Sequence, residues 1–130
     1  MIVDSSVLLA ILLREDDAPR YVDALSGRQD SRLSAATLVE ASMVAEGRAG
    51  RAAGVELERL VAEAEIEIVP FTAEHAALAR EGWRRYGKGR HPAGLNLGDC
   101  FAYALAKARS EPLLYKGDDF ARTDVKAAIE

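Results

Sequence analysis

The chain of 130 residues contains one cysteine, Cys100, and two histidines, His75 and His91. A single thiol cannot close an internal disulfide and fits a reducing compartment. Neither histidine fits a ribonuclease pair of imidazoles, and there is no His or Cys cluster of the kind zinc prefers. No long hydrophobic run is present. The apolar stretch 7–13 is far shorter than the roughly 20 residues that cross a bilayer. A basic leader and a small-residue cleavage site are both missing, so a secretory signal is not expected, and the sequence reads as cytoplasmic and complete. Glycines at 82, 87, 89, 94 and 98 form no G-x-G-x-x-G after a strand, which removes the dinucleotide-binding reading. There is no excess of positive charge either. The formal net charge is -4, which argues against a simple DNA-coating protein.

What is present is the pattern of one α/β domain spanning 1–130. Apolar residues make up 49% and charged residues 29%, ordinary for a globular chain able to bury a core. Met1 to Asp4 reads as a short strand, followed by a helix capped by Ser5 or Ser6. Residues 17–26 read as a helix with Asp17 as cap, Pro19 in its first turn and Gly27 ending it. Arg32–Ser34 suggests a short strand, residues 35–48 a helix closed by Gly47 and Gly50, and residues 52–65 an amphipathic helix. The segment 66–70, IEIVP, is the clearest strand. Residues 72–86 are helical, a Gly-rich loop follows, and 99–109 is a helix rich in small residues. Residues 112–115 begin the last clear strand, and Val125 is a candidate for a short edge strand. Alternating strands and helices imply a parallel sheet of four or five strands, covered on both faces, with ligands off the carboxyl ends of the strands.

Three carboxylates sit where their neighbours explain them poorly. Asp4 lies at the carboxyl end of the first strand. Glu40 interrupts the apolar run 38–44, and Asp99 opens the helix after the Gly-rich loop. In a parallel sheet all three can share one end, where they would repel and their pKa values would rise without a cation. An all-oxygen set favours Mg²⁺ or Mn²⁺ over Zn²⁺. Each acid also has a structural alternative: Asp4 as a helix cap, Glu40 in a capping box with Thr37, and Asp99 as a favourable charge at a helix N-terminus. His75 reads as cap-proximal or surface. Ser6 caps the first helix or steadies Asp4, and Asn96 forms a turn or fixes the loop before Asp99.

These residues carry a family pattern. The opening MIVDSSVLLAIL, residues 35–40 (AATLVE), residues 94–107 (GLNLGDCFAYALAK) and residues 112–125 (PLLYKGDDFARTDV) resemble, in order, the four motifs of PIN-domain ribonucleases of the VapC toxin family. The resemblance spans nearly the whole chain. It implies the PIN fold, Mg²⁺-dependent cleavage of RNA (Mn²⁺ as a possible substitute), and a VapB-type antitoxin that blocks the site. It also implies homodimerisation and a heterotetramer or larger assembly with antitoxin. By motif position Asp4 and Asp99 would bind the metal, with Glu40 completing the cluster. Many relatives carry a fourth acid in a Thr-x-Asp-x-Asp-Phe pattern. Alignment on Phe120 puts Gly117 where the first of those acids would stand, leaving Asp118 or Asp119 to serve, with Asp118 preferred.

Between residues 80 and 91, Arg80, Arg84, Arg85, Lys88 and Arg90 face only one acid, Glu81. This stretch can meet a phosphate backbone, with Trp83 and Tyr86 available for stacking and His91 beside it; a solvated face with core aromatics is the alternative. A phosphoryl-accepting receiver domain would need an acceptor Asp after a middle strand, but Pro70 and Phe71 stand there. A non-catalytic PIN-like interaction module with an eroded site is the remaining rival, and Gly117 is its best support.

Overall fold

The computed structural model describes residues 1–130. Its elements are β1 (Ile2–Val3), α1 (Ser5–Leu12), α2 (Ala18–Leu25), β2 (Arg32–Ser34), α3 (Ala35–Ala49), α4 (Arg51–Glu63), β3 (Glu67–Val69), α5 (Ala73–Tyr86), α6 (Leu97–Arg109) and β4 (Leu113–Leu114). All strand pairings are parallel and the order is β3-β2-β1-β4. The expected four- or five-stranded sheet is therefore four-stranded. Val125 lies in no strand; the tail adds one isolated bridge, between Leu113 and Ala127.

The pleat explains the layers. Successive strand residues point to opposite faces, so Ile2 and its partner Leu113 join one core while Val3 and its partner Leu114 join the other. On the Val3 side lie apolar residues of α1 to α4, including Leu8, Tyr21, Ala41 and Leu57. On the Ile2 side lie those of α5 and α6, including Ala79, Tyr103 and Leu105. Burial on both faces is why β1 and β4 read as apolar runs, whereas the edge strand β3 is largely exposed and alternates. No helix is long and apolar enough to cross a membrane.

Local signals end the elements nearly where expected. Ser34 caps α3, its hydroxyl accepting from the Ala36 amide. Gly47 does not close that helix. The break comes at Gly50, whose φ of 81° suits a residue without a side chain. The strand order reverses beside β1: the chain leaves β3 at one edge and crosses to β4 at the other. The carboxyl ends of β1 and β4 thus flank the crevice where α/β sheets hold ligands.

Candidate active site

Asp4 follows β1 directly and is 2% exposed. Its backbone amide donates to the Leu114 carbonyl at 3.0 Å, tying it to β4. Asp4, rather than a serine, is the cap of α1. Its Oδ2 accepts from the Ser6 amide at 3.1 Å and from the Ser6 hydroxyl at 2.6 Å. Ser6 Oγ in turn accepts from the Lys116 amide at 3.0 Å. One serine thus links the carboxyl ends of the neighbouring strands β1 and β4 and holds one side of the Asp4 carboxylate. The other oxygen, Oδ1, is buried and has no hydrogen-bond partner.

Glu40 enters from α3. The capping box with Thr37 does not form, because α3 begins at Ala35 and Glu40 lies within it. The Thr37 hydroxyl is instead buried and unpartnered, as is Glu40 Oε1. The Glu40 carboxylate lies against Gly98, so closely that a side chain at 98 would collide with it.

Asp99 comes from the first turn of α6, which begins two residues earlier than expected. Asn96 is its cap and Asp99 is the third helical residue. The two close a capping box: Asp99 N donates to Asn96 Oδ1 at 2.8 Å, and Asn96 N donates to Asp99 Oδ2 at 3.1 Å. Asp99 therefore has a structural bond and still faces the other acids.

The electrostatics show which acids meet. Burial pushes the Asp4 carboxyl up, Ser6 and Ser5 pull it down, and the Asp119 charge adds to the rise. Burial raises Glu40, and Asp4 raises it further. Asp99 is pushed up to about 7, first by burial and then by the charges of Asp4, Asp119 and Glu40, against the Asn96 amide. Asp4, Glu40 and Asp99 are thus brought together, and the acid of the β4 loop that acts on Asp4 and Asp99 is Asp119. Asp118, preferred from the alignment, is exposed as Asp119 is, and it is not among the main influences on any of them. The backbone turns just before these two residues. Gly117 sits at φ 99°, which an aspartate would adopt only under strain. The loop therefore takes its own path into the 3-10 turn Phe120–Arg122, with Asp119 at its cap.

None of the four acids has a cationic partner. Lys116, the nearest candidate in sequence, places its amine on Asp17 at 3.0 Å and on Glu15 at 3.3 Å instead. No three acids close on a common point as placed, as expected of like charges with nothing between them. Two orphaned buried carboxylate oxygens and an all-oxygen donor set fit a hard divalent cation such as Mg²⁺ or Mn²⁺.

Elsewhere, His75 is cap-proximal, its amide donating to Thr72 Oγ1 at 3.2 Å, and it is buried rather than at the surface, edge-on against Phe71. Tyr86 is also buried, whereas Trp83 is 47% exposed. The Ser6 bridge to the β4 loop was not visible in the sequence, because it joins residues 110 positions apart.

The fold and acid cluster define a small α/β nuclease-like class, and comparison narrows it. The PIN domain family model matches residues 1–126. Ribonuclease VapC28 of Mycobacterium tuberculosis is 47% identical over 100% of this chain and 98% of its own length. Among solved structures, M. tuberculosis VapC20, a Sarcin-Ricin loop cleaving toxin, superposes with a TM-score of 0.78 at 17% identity, covering 95% of both chains. A toxin–antitoxin complex from Klebsiella pneumoniae gives 0.68 at 18% identity, covering 95% of this chain and 92% of that one. The chain belongs to the PIN-domain family, on its VapC ribonuclease branch.

Proposed function

We propose that this chain is the toxin of a VapBC-type toxin–antitoxin pair, a single-domain endoribonuclease of the cytoplasm that requires Mg²⁺. The observation that carries it is the set of mutually repelling carboxylates at the strand-order reversal, with two buried oxygens unpartnered. The 47% identity to a ribonuclease supports RNA as the substrate. Asp4 and Asp99 would hold the ion, Glu40 would complete the cluster, and Asp119 takes the fourth position in place of Asp118.

When bound, the ion supplies Lewis acidity toward the phosphate and makes an attacking water more acidic. The chain supplies the rest. Ser6 fixes the Asp4 carboxylate through Oδ2, leaving Oδ1 buried and without a partner. Asn96 orients Asp99. The shortage of a side chain at Gly98 lets Glu40 approach. The same uncompensated acids suit a guanidinium or ammonium from an antitoxin tail, which would occupy the space the ion uses. A homodimer, and a heterotetramer or larger assembly with antitoxin, is the expected state.

The test is cleavage of a labelled total-RNA pool by the antitoxin-free chain, with Mg²⁺ or with EDTA, beside Asp4→Asn, Asp118→Asn and Asp119→Asn. Discrete fragments should need both the metal and Asp4. Asp119→Asn should lose on the order of tenfold or more in rate, as loss of a supporting carboxylate typically does, while Asp118→Asn stays near wild type. Intact RNA in every lane from folded protein would favour a non-catalytic module instead.

A further inference from the structure

Beside the acid cluster lies an apolar groove of about 430 Å³ between α5 and the start of α6. Trp83 and Leu97 are its large apolar walls, exposed by 47% and 73%, and Arg80 and Lys88 stand on its rim. It reaches Asn96, the residue bonded to Asp99 in the capping box. Its volume lies within the roughly 300–1,000 Å³ of small-ligand pockets.

We infer that this groove is a nucleobase subsite, where one base of a single-stranded RNA stacks on Trp83 while its neighbouring phosphates meet Arg80 and Lys88. The placement rests on the chain being a ribonuclease.

Three observations favour RNA over an apolar peptide or a second copy of the chain. First, the indole is held before any ligand arrives. The Arg90 guanidinium lies 4.5 Å from its ring centroid, and the ring rides over Gly87, where an added methyl would lie 2.6 Å from Trp83 Cδ1. A pre-positioned aromatic flanked by a cation suits sequence-tolerant stacking on a base. Second, the rim charge is unspent. Arg80 and Lys88 are exposed and take part in none of the fold's ion pairs, whereas Arg85 and Lys107 are committed to Asp124. In a chain of net charge -4, this is a local surplus that complements a polyanion. Third, the groove adjoins the acid cluster through α6. A base seated there would bring its strand's backbone alongside Asp99. Tyr86 plays no part, because it is buried beneath Arg85 and Tyr103.

Trp83 is the only tryptophan, so its fluorescence reports on this groove alone. The probe is a short single-stranded oligoribonucleotide of mixed sequence, titrated in EDTA so that it stays intact. We expect saturable quenching. Binding followed by anisotropy should weaken about tenfold in Trp83→Ala, the size of one lost stack, and recover in Trp83→Phe. Arg80→Ala or Lys88→Ala should each flatten the dependence of log affinity on log salt by about one unit.

Binding without quenching, or Trp83→Ala matching wild type while thermally folded, would overturn the subsite. So would a concentration-dependent shift of Trp83 emission without RNA, which would assign the groove to a second copy. The ribonuclease reading fails separately, on the Mg²⁺ cleavage assay. Cleavage with no indole response sinks only the subsite. Quenching without cleavage keeps the subsite and sinks the enzyme.

Discussion

A carboxyl group that is buried beside other carboxylates keeps its proton to a higher pH than it would in an unfolded chain. For Asp99 the folded value is about 7 against an ordinary 3.8, and Asp4 and Glu40 shift in the same direction. Between those two pH values the folded chain binds more protons than the unfolded one. Stability of the metal-free protein therefore falls as pH rises from about 4 through 7. Asp99→Asn removes the charge but keeps an oxygen that can accept from the Asn96 amide, so the helix start should survive. In EDTA at pH 8, Asp99→Asn should melt a few degrees above wild type, roughly the effect of 1 kcal/mol in a domain of this size. At pH 5 the gap should narrow, and cleavage with Mg²⁺ should be abolished. A large loss of melting temperature at either pH would make Asp99 a structural cap instead. The check is calorimetry across pH, beside the RNA assay.

Helices α3 and α6 meet where Glu40 lies over Gly98, and that approach sets the shape of the cluster. In Gly98→Ala the new methyl would displace the Glu40 carboxylate, a flexible end that can swing away. Alanine is up to about 1 kcal/mol better than glycine inside a helix, so folding stability should stay near parity. RNA cleavage should fall on the order of ten- to a hundredfold, as for a disturbed supporting carboxylate. Unchanged cleavage with an unchanged melt would show that the position of Glu40 is immaterial. At this scale much was legible in advance. The order of strands and helices followed from periodicity and from glycine and serine punctuation, and Asp4, Glu40 and Asp99 stood out as acids in apolar surroundings. Cap identity was not legible, because Asp4, Ser5 and Ser6 are all good caps and only the backbone path selects Asp4. The course of the loop that carries Asp118 and Asp119 was not legible either, because alignment on Phe120 does not encode the positive φ at Gly117. Burial of His75 depends on Phe71 and on the packing of α5, which local pattern does not reveal.

Across the whole molecule the sheet order β3-β2-β1-β4 does the gathering. Asp4 follows β1, Asp119 lies in the loop after β4, and α3 and α6 each bring one acid to the same end. No cation of the chain itself enters that end, since Lys116 is spent on Glu15 and Asp17. On the proposed function, two visitors of positive charge would compete for it: a divalent ion and a basic side chain of the antitoxin. If both bind there, each must weaken the other by the same factor, because linkage is reciprocal. Calorimetric titration of Mn²⁺ into the free chain and into its complex with the cognate antitoxin should show affinity in the complex lower by about tenfold or more, corresponding to a coupling of about 1.4 kcal/mol. Saturating Mn²⁺ should weaken antitoxin binding to the same degree, and Asp4→Asn should remove most of the coupling. Equal Mn²⁺ affinity in the free chain and the complex would place the antitoxin's contacts away from the acids, with neutralisation achieved by covering the RNA path instead.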